Sequence, residues 1–329
     1  MKDRIDALRK EIQQLSKEYN ENRSVANLDT ETLKKTVIEM GKQLETAEGR
    51  RSMAGLVTQM IYDTVSLYDL TSIFPKQSFS PSETPVYRKR GRLRVYWTEH
   101  GSNAIRTQQT VNEYFPSTRA LQGAPSYNYD QFKQGRYGDM AEQNRLINEE
   151  FIGKRNKLIF DTITASIPST TAYGNYAAHA GKMTKTTMDK AIDYVNGANI
   201  NGVRCIIGLF KHLAPIIDFQ DRGTYGIDLW TDEQKRKFMQ VGMIDLYRGA
   251  PIITLKQYID GHGLITIPDD EILVIGNDTD SCWWIDQGPF DTLEDLNAVT
   301  RDWIINIMIK IGFFIFHPQK NYRIKVSGY

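Results

Sequence analysis

The sequence predicts a mixed α+β protein. Three observations carry that prediction. A long run of helical periodicity spans Asp139 to Ser166. Two strand modules, "YRGAPIITLKQY" (Tyr247–Tyr258) and "IPDDEILVIG" (Ile267–Gly276), each place turn residues before an apolar, β-branched run. An alternating, strongly basic segment, "VYRKRGRLRVYW" (Val86–Trp97), reads as one arm of a polar hairpin.

At 329 residues the chain exceeds what one core usually serves, so two or three lobes are expected. Hydrophobic residues make up 40% and charged residues 25%, the balance of a folded soluble protein. Net charge is +1, which argues against general nucleic-acid binding and leaves only local contact. Cys205 and Cys282 are far apart and form no CxxC pair, which favours a reducing compartment without a disulfide framework. The start, "MKDRIDALRK", carries no apolar signal core. The longest apolar run, Trp303 to Phe316, contains Asn306 and Lys310 and is too short and polar to span a bilayer. No membrane partner is therefore expected, and the protein should be made and used in a cytoplasm.

In chain order, Ile5, Leu8, Ile12, Leu15 and Tyr19 form a heptad seam. The seam resumes, in shifted register, through Leu33, Val37, Met40 and Leu44 behind an Asp29 cap. Ten basic and ten acidic residues share positions 1–50, so this segment is a solvated amphipathic helix or a short coiled coil. A further amphipathic stretch covers Met53 to Tyr68, and "FPKQSFSPSETP" then stops regular structure with three prolines. The basic segment follows, holding Arg88, Lys89, Arg90, Arg92 and Arg94, with turn residues at Gly101-Ser102-Asn103. A hairpin of this kind buries little of itself and needs a partner surface. We expect that surface to be the acidic residues of another subunit. A solvated hairpin face and local nucleic-acid contact are the other readings.

The helical run Asp139–Ser166 would measure roughly 40 Å at 1.5 Å per residue, a girder more than a core filler. Pro168 ends it, and Gly153 in its middle suggests close packing. After a Tyr/Ala/Gly-rich loop, Thr184 caps a helix through Met188, Ile192 and Val195. "GVRCIIGLF" is a short buried strand, and "TDEQKRKFMQVG" a charged helix. "FFIFHPQKNYRIKV" reads as strand, proline break, strand.

No catalytic or cofactor signature is completed. His100, His179, His212, His262 and His317 are scattered, none at metal-ligand spacing. "DGHGLITI" places Thr266 where a dinucleotide fingerprint needs its third glycine. "HAGKMT" has Tyr176 and Met183 where a phosphate loop needs Gly and Ser or Thr. "PDDE" (Pro268–Glu271) lacks the spaced oxygens of a calcium loop and is read as a solvated turn. No cofactor, metal or catalytic residue is expected. The one enzyme-like grouping is Tyr173, Tyr176, His179 and Lys182, which holds no nucleophile–base pair in sequence.

The order of these elements resembles that of the major capsid proteins of tailed double-stranded DNA bacteriophages, the Hong Kong 97 fold. "TTMDKAIDYVNGANINGVRCIIG" looks like that family's first helix and strand of the axial domain, and "VGMIDLYRGAPIIT" like its glycine–strand–turn. "IPDDEILVIG" is similar to the central strand that follows, and "KIGFFIFHPQKNYRIKV" to the closing peripheral strand. The resemblance covers about positions 84 to 329.

It implies a helical arm or scaffold-like segment at 1–50, a linker at 51–83 and an extended loop at 84–114. A peripheral domain at 115–183 would hold a spine helix over 139–166. An axial domain would occupy 184–290, and 291–329 would return to the peripheral domain. Arg88, Lys89, Arg90, Arg92 and Arg94 would meet a neighbouring subunit, while Tyr258, Asp260 and His262 would lie near the symmetry axes. Partners would be further copies of the chain in pentamers and hexamers, portal, scaffold, protease or decoration proteins, and packaged double-stranded DNA on the inner face. The product would be an icosahedral virion capsid assembled in the host cytoplasm. An encapsulin-like nanocompartment shares the fold and is the alternative.

Overall fold

A computed structural model describes residues 38, 41–42, 46–54, 68–90, 111–128, 130, 137–219, 246–257, 267–297 and 302–328. The apolar run near the C-terminal end forms a long strand within a ribbon. Among the described residues, five strands precede the longest helix: β1 (Lys76–Phe79), β2 (Tyr87–Arg90), β3 (Val111–Tyr114), β4 (Arg119–Gly123) and β5 (Ser126–Asn128). Helix α1 (Tyr137–Ser166) follows, then β6 (Tyr176–Ala180), α2 (Lys185–Ala198), β7 (Val203–Leu209) and the short α3 (Phe210–Leu213). The remaining strands are β8 (Leu246–Tyr247), β9 (Ala250–Leu255), β10 (Glu271–Gly276), β11 (Cys282–Asn297), β12 (Asp302–Ile315) and β13 (Tyr322–Ser327).

These strands make three sheets. One runs β1-β11-β12-β4, with β5 also on β12. A second runs β6-β13-β10-β7-β9-β8. The third is the β2–β3 pair alone. In β12, inward residues Trp303, Ile305, Ile307, Ile309 and Ile311 alternate with partly exposed ones, the period-2 signature of a strand with one buried face. The uninterrupted apolar runs of β7 and β10 have a different cause. Cys205, Ile207, Leu273 and Ile275 join one core with α1 and the long ribbon. Ile206, Ile272 and Val274 join a second core beneath α2. The six-stranded sheet is therefore buried on both faces, and its central strands need no polar side.

Helix α2 presents Met188, Ala191, Ile192 and Val195 to the second core at i, i+3, i+4 and i+7 spacing. Each of the three larger side chains contributes about 1.5–3 kcal/mol by leaving water. Thr184 occupies the N-cap position, as expected, but its side chain makes no capping hydrogen bond; its hydroxyl lies 3.0 Å from that of Thr187. Helix α1 is longer by one turn fraction than the predicted girder and buries Phe151, Ile152, Ile159, Phe160 and Ile163. The "YRGAP" module is a two-residue turn joining β8 to β9, with φ of 49° at Arg248 and 82° at Gly249. Both angles lie where a Cβ is disfavoured, and Gly249 meets that demand without cost. Arg248 is held there by Asp193 at 3.0 Å and Asp189 at 3.3 Å, both on α2.

Four sequence readings change. The proline-rich segment "FPKQSFSPSETP" does not lack regular structure: Lys76–Phe79 within it form β1, parallel to β11. The Tyr/Ala/Gly-rich segment is not all loop: it contains β6, parallel to β13. The acidic turn before β10 is only partly solvated. Asp269 pairs with Lys211 at 3.0 Å and Asp270 with Lys325 at 3.2 Å, but Glu271 is 4% exposed and pairs with Arg323. The segment "DTLEDLN", unassigned from sequence, is the far half of β11. The seam at positions 5–19, the charged helix "TDEQKRKFMQVG" and the turn at 101–103 lie outside the described residues.

Candidate functional site

The candidate site is the base of the basic hairpin and the surface that anchors it. β2 and β3 pair antiparallel, Tyr87 opposite Tyr114 and Arg88 opposite Glu113. Strand alternation sends Tyr87 inward and Arg88 outward. The Tyr87 ring stacks on Phe316 with centroids 3.4 Å apart and planes 20° apart. It meets Trp283 edge-on at 4.9 Å. Trp283 and Phe314 in turn each contact Phe316 at 5.0 Å. Edge-to-face and stacked pairs of this kind each add about 0.5–1.5 kcal/mol beyond burial. The hairpin is thus pinned at one end to the start of β11 and the end of β12. Burial raises the Tyr87 phenol pKa, and the nearby Asp280 carboxylate adds to the rise.

A polar brace sits beside this aromatic box. The Lys320 ammonium lies 2.8 Å from Asp278 and 2.5 Å from Asp280, and His317 lies 3.7 Å from Asp280. Asp278 also accepts the backbone N–H groups of Asn201 and Ile200 at 3.2 and 3.4 Å. Burial alone would raise the Asp278 pKa; the Lys320 hydrogen bond and the two amides outweigh it and hold the carboxyl below its ordinary value.

Of the five basic residues singled out from sequence, Arg88 donates from Nε to Glu113 at 2.9 Å in an exposed cross-strand pair. Such a pair contributes about 1 kcal/mol or less. Lys89 and Arg90 occupy β2 opposite Asn112 and Val111. Arg92 and Arg94, and the axis-facing Tyr258, Asp260 and His262, lie outside the described residues. The aromatic box was missed from sequence. Its signal was present in Tyr87 ahead of the basic run and in the alternate Phe314 and Phe316.

The enzyme-like grouping resolves into structural contacts. His179 donates from Nε2 to the Lys182 carbonyl at 2.7 Å and has the Thr187 hydroxyl 3.4 Å from Nδ1. The Tyr176 ring lies under the Arg323 guanidinium at 5.5 Å. The Tyr173 carbonyl accepts the Tyr194 hydroxyl at 3.0 Å. Cys205 and Cys282 are buried, and desolvation pushes both thiols up to about 12. Among the described residues, no group of three His, Cys, Asp or Glu side chains could hold a metal ion, and no helix is long and apolar enough to cross a membrane.

A family model described as "SPbeta prophage-derived putative capsid protein YonB" matches residues 5–316. The chain belongs to this capsid-protein family. Members of the YonB family are structural proteins by that description, and the fold agrees. The capsid of an empty GTA particle superimposes with a TM-score of 0.55 at 11% identity, over 79% of this chain and 90% of that one. The Microbacterium phage Oxtober96 structure gives 0.56 at 8% identity, over 80% and 93%. The mature capsid of bacteriophage PhiM1 gives 0.52 at 8% identity, over 80% and 88%. At such identities the likeness is one of fold, and the fold is that of Hong Kong 97-type phage capsids. No curated protein matches the sequence.

Proposed function

We propose that this YonB-family chain is the repeating subunit of an icosahedral phage-like shell that encloses double-stranded DNA. The match across residues 5–316 carries the reading, since it spans α1 and every described strand except β13. Subunits associate as pentamers and hexamers, and the shell forms in the host cytoplasm. Portal, scaffold, protease or decoration proteins complete the head. Residues 84–114 act as the extended loop, with Arg88, Lys89, Arg90, Arg92 and Arg94 directed at an adjacent copy. Residues 115–183 and 291–329 form the peripheral domain around α1, and 184–290 the axial domain, with Tyr258, Asp260 and His262 toward the axes. Residues 1–50 serve as an arm or scaffold-like segment.

Several features support this. A two-stranded ribbon is marginal in isolation and gains from lying on a neighbour. Separate patches on identical chains give heterologous contacts that close into rings. Individually modest interfaces then add over many copies. Electron microscopy of the purified full chain, with intact mass on the same sample, is the test. Closed shells or capsomer rings are expected, and DNA-filled particles from infected or induced cells distinguish a viral head from a cargo compartment. A chain that stays monomeric at high concentration, alone and with its phage neighbours, overturns the reading.

A further inference from the structure

The six-stranded sheet ends at β8 on one side and at β6 on the other. β8 is two residues long, and so short an edge strand offers little to a partner. β6 is longer and lacks the usual protections of an edge. Its register with β13 runs without a bulge, and no Asp, Glu, Lys, Arg or Pro occurs from Ser169 to Gly181.

The hydrogen bonds to β13 fix which way the β6 backbone points. The Arg323 amide donates to the Asn175 carbonyl at 3.0 Å, and the Gly181 amide donates to the Ser327 carbonyl at 2.8 Å. Along a strand, residues bonded to one neighbour alternate with residues that face the other way. Asn175, Ala177, His179 and Gly181 therefore turn to β13. Tyr176, Ala178 and Ala180 turn their N–H and C=O groups to the opposite side, where no strand meets them among the described residues. Ala178 and Ala180 are exposed.

The strand, "YAAHA", is complementary to itself. Set antiparallel with Ala178 opposite Ala178 of a second copy, it places Tyr176 opposite Ala180 and Ala177 opposite His179. Each large side chain meets a small one, and no like charges are brought together. The pairing also keeps the faces of the sheet. Tyr176 packs toward the first core and Ala177 toward the second, and even-numbered residues meet even-numbered ones. The outward groups of Tyr176, Ala178 and Ala180 would then make about six bonds between the chains.

We infer that β6 joins two copies of the chain, antiparallel and in this register, so that their six-stranded sheets become one. The inference rests on the capsid reading and adds a contact to it. An isologous pair is complete with two copies and cannot itself build a ring. The β6 contact therefore links subunits of neighbouring rings. A five-residue strand covers far less than the roughly 1,200 Å² of a stable free dimer, so the pair forms where a shell repeats it many times.

The test uses assembled particles of the full chain. Opposed Ala178 residues have Cα atoms about 5.5 Å apart in this pairing, within disulfide reach. Ala178→Cys particles, treated with a mild oxidant and run without reductant, are expected to give covalent dimers as the main species. Ala180→Cys, which lies opposite Tyr176 and not opposite itself, is expected to give few; Cys205 and Cys282 are buried. Ala178→Lys and Ala178→Glu each set like charges opposite one another. Each is expected to lower assembly about ten-fold or more, with circular dichroism unchanged because the side chain is exposed. Co-expression of these two variants is expected to restore assembly. Particles that give no Ala178→Cys dimer, or that form at wild-type yield from Ala178→Lys, overturn the β6 pairing and leave the capsid reading standing. A wild-type chain that forms neither rings nor shells overturns both.

Discussion

The Arg323 guanidinium lies against the Glu271 carboxylate inside the protein and ties the end of α1 to the six-stranded sheet. Arg323 reaches Glu271 Oε1 from Nε at 3.1 Å and also through Nη2. Its Nη1 donates to the Ile167 carbonyl at 3.0 Å. Thr164 on α1 donates to the other Glu271 oxygen at 2.7 Å. Every atom of the pair is committed, which is how a buried ion pair becomes tolerable. Glu271→Ala or Arg323→Ala alone leaves a buried charge uncompensated and is expected to cost about 3–5 kcal/mol. Joint replacement by Leu and Met should cost less. Urea unfolding of the chain decides it: single variants melting with the wild-type midpoint would remove the pair from the account of how α1 is anchored.

Tyr87→Ala should act locally. It deletes the stack on Phe316 and the edge contact with Trp283. Amides of 87–90 and 111–114 are expected to exchange with solvent about ten-fold or more faster, with the global urea midpoint nearly unmoved. Tyr87→Phe keeps the ring and should retain protection. Equal protection in wild type and Tyr87→Ala would show that the hairpin base is held by something else.

Acid should loosen the brace at Asp278. Its folded pKa lies below the ordinary aspartate value of 3.8, so its contribution is complete above that pH and is lost as pH falls through the depressed folded value. Asp278→Asn should therefore flatten stability between about pH 4 and 2 relative to wild type. It should also release the 199–202 turn, whose amides Asp278 holds. A variant with the same acid limb as wild type would assign the limb to other carboxylates.

Gly276 is a tight spot. A Cβ there would lie 2.3 Å from the Asn199 side-chain oxygen and 2.5 Å from the Lys320 carbonyl. The Asn199 amide is itself committed, donating to the Val195 and Lys320 carbonyls at 2.8 Å each. Gly276→Ala is expected to destabilise by about 1–3 kcal/mol through this overpacking, visible as a lower thermal midpoint. A midpoint at or above wild type would mean that the turn yields freely.

What the sequence made legible follows burial. α1, α2, β7, β9, β10 and β13 were readable because apolar periodicity or a doubly buried run dictates them. β6, "YAAHA", was not, because it lies on a sheet edge where β13 imposes the extended form. The far half of β11 was not, because three acids in seven residues look like a loop until β12 is known to pair with them. The buried state of Glu271 was illegible for a related reason: its partner Arg323 is 52 residues away. Of the candidate site, the basic run was obvious and its aromatic anchor was not, since Tyr87, Trp283 and Phe316 come from three distant segments. The resemblance to phage capsid proteins, carried by the order of the elements, supplied the family.

The position of β13 ties sheet formation to the clock of protein synthesis. Residues 322–327 are made after every other strand described, yet they sit between β6 and β10 in the interior of the six-stranded sheet. While those residues are still unmade, β6 has no strand to lie on and β10 lacks one neighbour, so the sheet is split. Long-range pairings of this kind form late. Translation itself thus withholds the finished sheet, and a ribosome that stalls before Tyr322 leaves a chain in which β6 is unpaired and one edge of β10 is open.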